Sequence, residues 1–345
     1  MAEITEYSKD ILSISELDLP WEELNNCNIL ITGGSGLIGS CLVEALMMNP
    51  KRSYHVYASG RDLIKLKQRF KRFEGSSEFT PLQLDVTVPL VNDIQFDYVI
   101  HAASPASPNF FAQHPVEVMK ANINGIVNLV EYGIKHGMKR LLYISSGEVY
   151  GEGDGRLFTE EYSGYVDITS PRSCYPSSKR ASETLCASYI QEYNADIVIA
   201  RPCHIYGPDF TESDNRVYAQ FIRNIIKDED IVMKSNGEQF RSWCYVVDCV
   251  SALLYVLLKG EKGNAYNIAD EHSTISIKEL AEIIAKCRNK KVKTVIPDIK
   301  EKKGYNVVKK SVFSTKKISE LGWKVKNGTI NDKLRITVDR LLYNK

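Results

Sequence analysis

Apolar and polar positions follow two rhythms along the first two-thirds of this chain. Short apolar runs rich in β-branched residues, at 28–32, 54–58, 82–85, 98–101, 141–145 and 197–200, predict strands. Between them, apolar residues recur at three- and four-residue spacing over 36–48, 62–73 and 116–136, and again from Tyr175 onward, which predicts helices. Pro176 suits the first turn of that last helix, because its missing N–H has no intrahelical partner there in any case. Strands alternating with helices imply a parallel sheet covered on both faces, the α/β doubly wound architecture. Beyond residue 200 the elements shorten. Helices at 216–227, 247–259, 277–287 and 315–321, with brief strands between, predict a smaller mixed α/β lobe over the C-terminal edge of the sheet. Residues 1–27 read as an amphipathic extension that packs on the body or on a partner subunit.

One turn in this pattern carries chemistry. Thr32-Gly33-Gly34-Ser35-Gly36-Leu37-Ile38-Gly39 lies between the first strand and the first helix, the context that gives a three-glycine pattern meaning. Gly33 permits the tight turn, Gly36 lets backbone approach phosphate oxygens, and Gly39 allows close helix–strand packing. With Ser35, Leu37 and Ile38 they form a cradle whose free N–H groups and helix dipole suit a pyrophosphate. The fold expectation is therefore a Rossmann-type sheet. The end of the second strand should read the adenosine ribose, and an acid there favours NAD. Here it is Ala58-Ser59-Gly60-Arg61. Arg61 suits a 2′-phosphate and tilts the reading to NADP, while Asp62 could still serve a ribose hydroxyl and keep NAD open. Asp85 and Val86 are expected near the adenine, and Ala102, Ala103 and Ser104 beside the cofactor's ribose and phosphates.

A second motif, Tyr175-Pro176-Ser177-Ser178-Lys179, puts a phenol and an ammonium four residues apart on one helical face. A lysine ammonium and an oxidised nicotinamide both favour the phenolate, so the expected pKa of Tyr175 falls toward neutrality. Tyr175 could then take a proton from a substrate hydroxyl as hydride leaves, with Lys179 tuning the phenol and holding the nicotinamide ribose.

Bulk properties narrow the class. The chain has 345 residues, 43% hydrophobic and 25% charged, with a net charge of +1 that offers neither a nucleic-acid groove nor a polybasic membrane surface. Its eight cysteines are scattered, with no metal-ligand spacing, and predict reduced thiols and no metal site. No signal-peptide pattern opens the chain and no apolar run is long enough for a membrane span, so a cytoplasmic enzyme is expected.

Taken in order, the two motifs and the segments HAASPASP (101–108), SSGEVYG (145–151), PRSCYPSSK (171–179), RPCHIYGP (201–208) and RSWCYVVD (241–248) resemble the extended short-chain dehydrogenase/reductases. The likeness is to their nucleotide-sugar epimerase/dehydratase/decarboxylase group, with ASPASP, EVYG and PRxCY most similar to UDP-glucuronate decarboxylases. The resemblance implies that Ser146 bonds the sugar oxygen at the reacting carbon and that Glu148 works near C5. It also implies that Arg241 clamps the diphosphate, with His204 and Arg216 as further substrate contacts. A homodimer built on the helices at 116–136 and 175–193 is implied as well. The division that follows is an extension at 1–27, an NAD(P)-binding domain at 28–202 and 241–263, and a nucleotide-sugar lobe at 203–240 and 264–345. Lys302-Lys303-Gly304-Tyr305 could add base contacts.

Two departures from the group's pattern matter. Gly147 stands where dehydratases carry a proton-donating Asp and decarboxylases a hydroxyl residue, and the second strand lacks its acid. The expected activity is hydride transfer at the sugar through a 4-keto intermediate, of epimerase or decarboxylase type. An NADPH-dependent keto-sugar reductase is the alternative, and dehydration ranks third. A non-catalytic dinucleotide sensor is the alternative of another class.

Overall fold

The computed structural model describes residues 5–212, 214–295, 310–326 and 328–343. Its strands are β1 Asn28–Thr32, β2 His55–Gly60, β3 Phe79–Gln83, β4 Tyr98–His101, β5 Arg140–Ile144, β6 Ile197–Pro202 and β7 His204–Tyr206. They continue with β8 Ile231–Met233, β9 Phe240–Tyr245, β10 Ala265–Ile268, β11 Thr274–Ser276, β12 Val292–Thr294 and β13 Lys310–Ser311. The helices up to the lobe are α1 Glu6–Leu12, α2 Leu37–Met48, α3 Leu63–Arg69, α4 Pro108–Gln113, α5 Pro115–Lys135 and α6 Cys174–Tyr193. They continue with α7 Val217–Ile226, α8 Val246–Lys259, α9 Ile277–Lys286, α10 Lys316–Glu320 and α11 Ile330–Tyr343.

Seven strands form one sheet in the order β3-β2-β1-β4-β5-β6-β10, every pair parallel. This is the expected doubly wound Rossmann-type sheet. Strands β1 and β4 are buried almost throughout because helices cover both faces, which is why they read as continuous apolar runs. The chain order reverses between β1 and β4. Their C-terminal ends therefore splay apart and leave a crevice, the place where such sheets bind ligands.

The sequence pattern misplaces some bounds. The third strand is Phe79–Gln83, ahead of the expected 82–85, so Asp85 lies in the loop beyond it. A seventh strand, Ala265–Ile268, joins the main sheet from within the stretch expected to belong to the lobe. In the lobe β9 pairs with β7, β11 and β13, and β8 pairs with β12. Helix α9 opens with a full capping box, Ser276 and Glu279 satisfying each other's backbone N–H groups.

Two features lock the lobe to the sheet. The N-terminal extension forms α1, whose Tyr7 and Ile11 are each 1% exposed; Tyr7 donates to Asp209 at 3.2 Å, and Asp10 pairs with Lys326 at 2.8 Å. The extension thus packs on the body of its own chain. On α11, Lys333 meets Asp248 at 2.8 Å and Asp270 at 3.6 Å, all three side chains nearly solvent-free. Burial pushes the Asp248 carboxyl above its usual range, and the Lys333 charge pulls it back. Removing that ammonium leaves two carboxylates buried together. Lys333→Ala should cost about 3–5 kcal/mol in urea unfolding; a loss under about 1 kcal/mol, the scale of an exposed pair, would contradict the locking role.

Candidate active site

The first βα turn is built by close backbone approach. Gly33 has φ +68°, and a β-carbon there would lie 2.8 Å from the Ala102 carbonyl oxygen and the Ala103 nitrogen. A β-carbon on Gly39 would lie 2.2 Å from the Gly33 carbonyl oxygen. The Gly36 N–H donates to that carbonyl at 3.0 Å, so the turn closes on itself directly before α2 starts at Leu37. The turn is tied to its neighbours as well. Thr32 Oγ1 accepts from the Ala103 N–H and lies 2.8 Å from His101 Nδ1, and the Gly34 N–H donates to the Ser59 carbonyl. Burial, then the Lys179 charge, holds His101 down to about 3, so it is a neutral packing residue.

These features fit a dinucleotide. The cradle is one that a β-carbon would fill, and at the end of β2 the buried Ser59 hydroxyl has no partner among the described residues. Arg61 is exposed, and its charge reaches Asp85. Asp62 spends a carboxylate oxygen on capping α3, accepting from the Lys65 N–H at 2.9 Å. Val86 is buried, whereas Asp85 bonds mainly to its own loop through Thr87. Leu37 is turned into the core, where it meets Gly207, so its contribution to the cradle is its backbone; Ser35 and Ile38 are half-buried beside it.

Across the crevice, α6 lays Tyr175 and Lys179 against the ends of β4 and β5. Tyr175 is 7% exposed, with the hydroxyls of Ser146 and Ser104 beside its phenol. Ser104 follows directly on the Ala102-Ala103 pair that Gly33 touches, which joins the phenol to the cradle. It also donates to Asn122, which in turn donates to Ser178. Lys179 is 2% exposed; it donates to the Ile144 carbonyl at 2.8 Å and lies 4.8 Å from the Tyr143 ring centre and 5.8 Å from that of Tyr175.

The protein's own groups do not by themselves lower the phenol pKa. Burial pushes Tyr175 up to about 12, the Glu148 charge adds to this, and Ser146, Arg216 and Ser104 oppose it. Burial likewise pushes Lys179 down to about 7, against the charge of Glu183. The protein's own groups therefore keep the phenol neutral, and Lys179 is not among the main groups that shift it. Positive charge brought beside the phenol would lower its pKa.

Glu148 sits in the 3₁₀ turn Gly147–Tyr150 after β5, its N–H held by Ser146 Oγ. Its carboxylate is bound at 3.2 Å by both terminal nitrogens of Arg172, a partner the motif reading missed. The departure at Gly147 has a physical reason: a β-carbon there would lie 2.1 Å from the Phe313 ring, so Phe313 takes the space of a side chain. On the lobe side, Arg216 chelates Asp214, and its charge reaches both Tyr175 and His204. His204 packs on Trp243 with Nδ1 buried and no hydrogen-bond partner among the described residues; burial, then Arg241 and Arg216, hold it neutral. Arg241 is 5% exposed and donates to the Phe240 carbonyl. Ser104, Ser146, Glu148, Lys179 and Arg216 thus gather at Tyr175, the charges of Arg216 and Arg241 reach His204, and Arg61 and Asp85 meet each other beyond β2 and β3. Lys302–Tyr305 lie outside the described residues. No metal-binding group occurs among the described residues, and no helix is long and apolar enough to cross a membrane.

Residues 29–269 match the NAD dependent epimerase/dehydratase family. The chain belongs to that family. It is 36% identical over 260 residues to UDP-glucuronic acid decarboxylase 6 of Arabidopsis thaliana, covering 75% of this chain and 74% of that protein. With UDP-glucuronic acid decarboxylase 1 of Xenopus tropicalis it shares 33% identity, covering 75% and 60%. Among solved structures, UDP-glucuronic acid 4-epimerase from Bacillus cereus, bound to UDP-glucuronic acid and NAD, superposes with a TM-score of 0.78 at 23% identity, over 92% of this chain and all of that one. DesIV, a dTDP-glucose 4,6-dehydratase from Streptomyces venezuelae, gives 0.78 at 22%, over 92% and 97%. These structural likenesses show the fold.

The pKa shifts make a direct prediction. In the dinucleotide-free protein, an ultraviolet difference titration of wild type against Tyr175→Phe should show no phenolate from Tyr175 below about pH 10, the ordinary tyrosine value. Ionisation at or below that pH would contradict burial and Glu148 as the dominant influences.

Proposed function

We propose that this family enzyme decarboxylates a nucleotide-diphosphate uronic acid in a redox-neutral cycle that passes through a 4-keto sugar. One observation supports this most: a buried phenol stands between Ser146 and Ser104, with Glu148 acting on it, at the crevice beside a dinucleotide cradle. The named relatives with over 30% identity across three-quarters of the chain act on UDP-glucuronic acid. When bound, an oxidised nicotinamide would accept hydride from sugar C4 and later return it.

The remaining steps belong to this chain. Gly33, Ser35, Gly36, Leu37, Ile38 and Gly39 would hold the pyrophosphate, with Ala102, Ala103 and Ser104 beside the cofactor's ribose and phosphates. The positive charge brought beside Tyr175 favours its phenolate, which takes the C4 hydroxyl proton while Ser146 orients that oxygen. Lys179 would bond the nicotinamide ribose. Loss of the C6 carboxyl as CO2 leaves its electron pair on the C4–C5 enolate, and C5 then takes a proton from solvent water on the face where Glu148 stands. The same phenol gives its proton back to the C4 oxygen as hydride returns. Arg241 and Arg216 bind the diphosphate and His204 faces the sugar, so remote binding positions C4. Gly147 and the Phe313 ring leave no proton donor where a dehydratase needs one. The outer face of α5 and α6, with a groove lined by Ile134, Leu185, Tyr189 and Tyr193, is the proposed homodimer surface.

A second reading, net NADPH-dependent reduction of a keto sugar, is favoured by the strand-2 ending: Arg61 is exposed and Asp62 is committed to its cap. That ending also favours NADP over NAD as the bound dinucleotide. Incubation with UDP-glucuronate and either dinucleotide separates the two readings. CO2 and a UDP-pentose formed without net change in dinucleotide absorbance are expected, whereas stoichiometric NADPH consumption with a keto sugar would support the reductase. Tyr175→Phe should lower turnover by about 10²–10⁴-fold with dinucleotide binding retained; turnover within a factor of about two would remove the phenol from the mechanism.

A further inference from the structure

We propose that Arg172 receives the carboxylate of the sugar, and that this carboxylate displaces Glu148 from the guanidinium. The proposal rests on the uronic-acid reading above and adds to it a recognition residue and a way of freeing Glu148. Arg172 lies in the turn Pro171–Ser173 immediately ahead of α6. Its two terminal nitrogens grip both oxygens of Glu148 at 3.2 Å. The guanidinium carbon stands 5.1 Å over the Phe111 ring, and Phe111 stacks on Tyr175 with centres 4.5 Å apart and planes 16° from parallel. The cation is thus held at a fixed offset from the phenol by two stacked rings.

Both ion partners are open to solvent, with 44% of the Arg172 side chain and 38% of the Glu148 side chain exposed. An ion pair so exposed is screened by water and holds weakly. A guanidinium fork suits any carboxylate of the same geometry, so Glu148 marks a place where a sugar carboxylate can sit. The exchange swaps one carboxylate for another on the same cation. No covalent bond is made or broken, and Arg172 is never left buried and unpaired. Glu148 is thereby released beside Tyr175 only when an acidic sugar is in place. An uncharged sugar leaves the Arg172–Glu148 pair closed.

Calorimetric binding of UDP-glucuronate and UDP-glucose to wild type, Arg172→Met, Arg172→Lys and Glu148→Gln tests this. Arg172→Met should weaken UDP-glucuronate by about tenfold or more relative to UDP-glucose, the scale of a charge-assisted hydrogen bond. Arg172→Lys should recover part of that difference. Glu148→Gln should tighten UDP-glucuronate, because its competitor for Arg172 is gone, while turnover falls. A purely structural role for Arg172 would weaken both ligands together. An unchanged ratio in Arg172→Met, or weaker UDP-glucuronate binding in Glu148→Gln, overturns the proposal. If Arg172→Met does not fold, the other two variants carry the comparison. Wild type that releases CO2 from UDP-glucuronate but fails these ratios sinks the Arg172 proposal alone, whereas wild type with no turnover of UDP-glucuronate sinks the decarboxylase reading beneath it.

Discussion

Everything at this crevice depends on how closely α2 is seated on the turn that precedes it. With no β-carbon at 33 or 39, the first turn of α2 lies directly over the end of β1, and the Ala102-Ala103 backbone closes the other side. Gly39 sits inside a helix, where glycine costs roughly 0.5–1 kcal/mol against alanine. That cost is offset by the packing: α2 buries Leu37, Cys41, Leu42, Ala45 and Leu46, each large apolar side chain contributing about 1.5–3 kcal/mol. Leu37 carries the constraint outward by packing on Gly207, which also abuts Val246 at the start of α8. The cradle and the lobe are therefore positioned by the same contact.

The second half of the site is an electrostatic arrangement held in check. Tyr175 and Lys179 are both buried, and burial disfavours the charged form of each, so the phenol is pushed up while the ammonium is pushed down. Glu148 strengthens the hold on the phenol's proton. Positive charge brought beside such a phenol would favour its ionised form. Arg172 stands on Phe111, which stacks on the same phenol, and keeps Glu148 paired. In the proposed cycle, proton transfer at Tyr175 would therefore depend on the charge of a bound oxidised dinucleotide.

What could be read from the chain follows from how local each signal is. The glycine turn and the Tyr175–Lys179 spacing are set within eight residues, and β1, β2, β4, β5 and β6 announce themselves through apolar runs, whereas the mixed FTPLQ of β3 does not. By contrast, β10 is only four residues long and pairs with β6 more than sixty positions away. Helix α11 escaped the periodic reading because its buried face includes Lys333 and Thr337 beside Leu334 and Val338, and its anchor is an ion pair. Phe111, Arg172 and Phe313 reach the site from three separate segments. The one local hint was Arg172 within PRSCY, three residues before the tyrosine. Gly147 looked like a lost proton donor from sequence alone; the reason it is glycine, the Phe313 ring, lies 166 positions downstream.

The central claim is that the sugar is oxidised and re-reduced at C4 within one binding event. UDP-glucuronate deuterated at C4, turned over in ordinary water, tests it most directly by mass and proton spectra of the product. The account predicts a pentose nucleotide that keeps its deuterium at C4, bears a solvent hydrogen at C5 and has lost the carboxyl. Deuterium recovered in a released dinucleotide, or washed out to water, would contradict it.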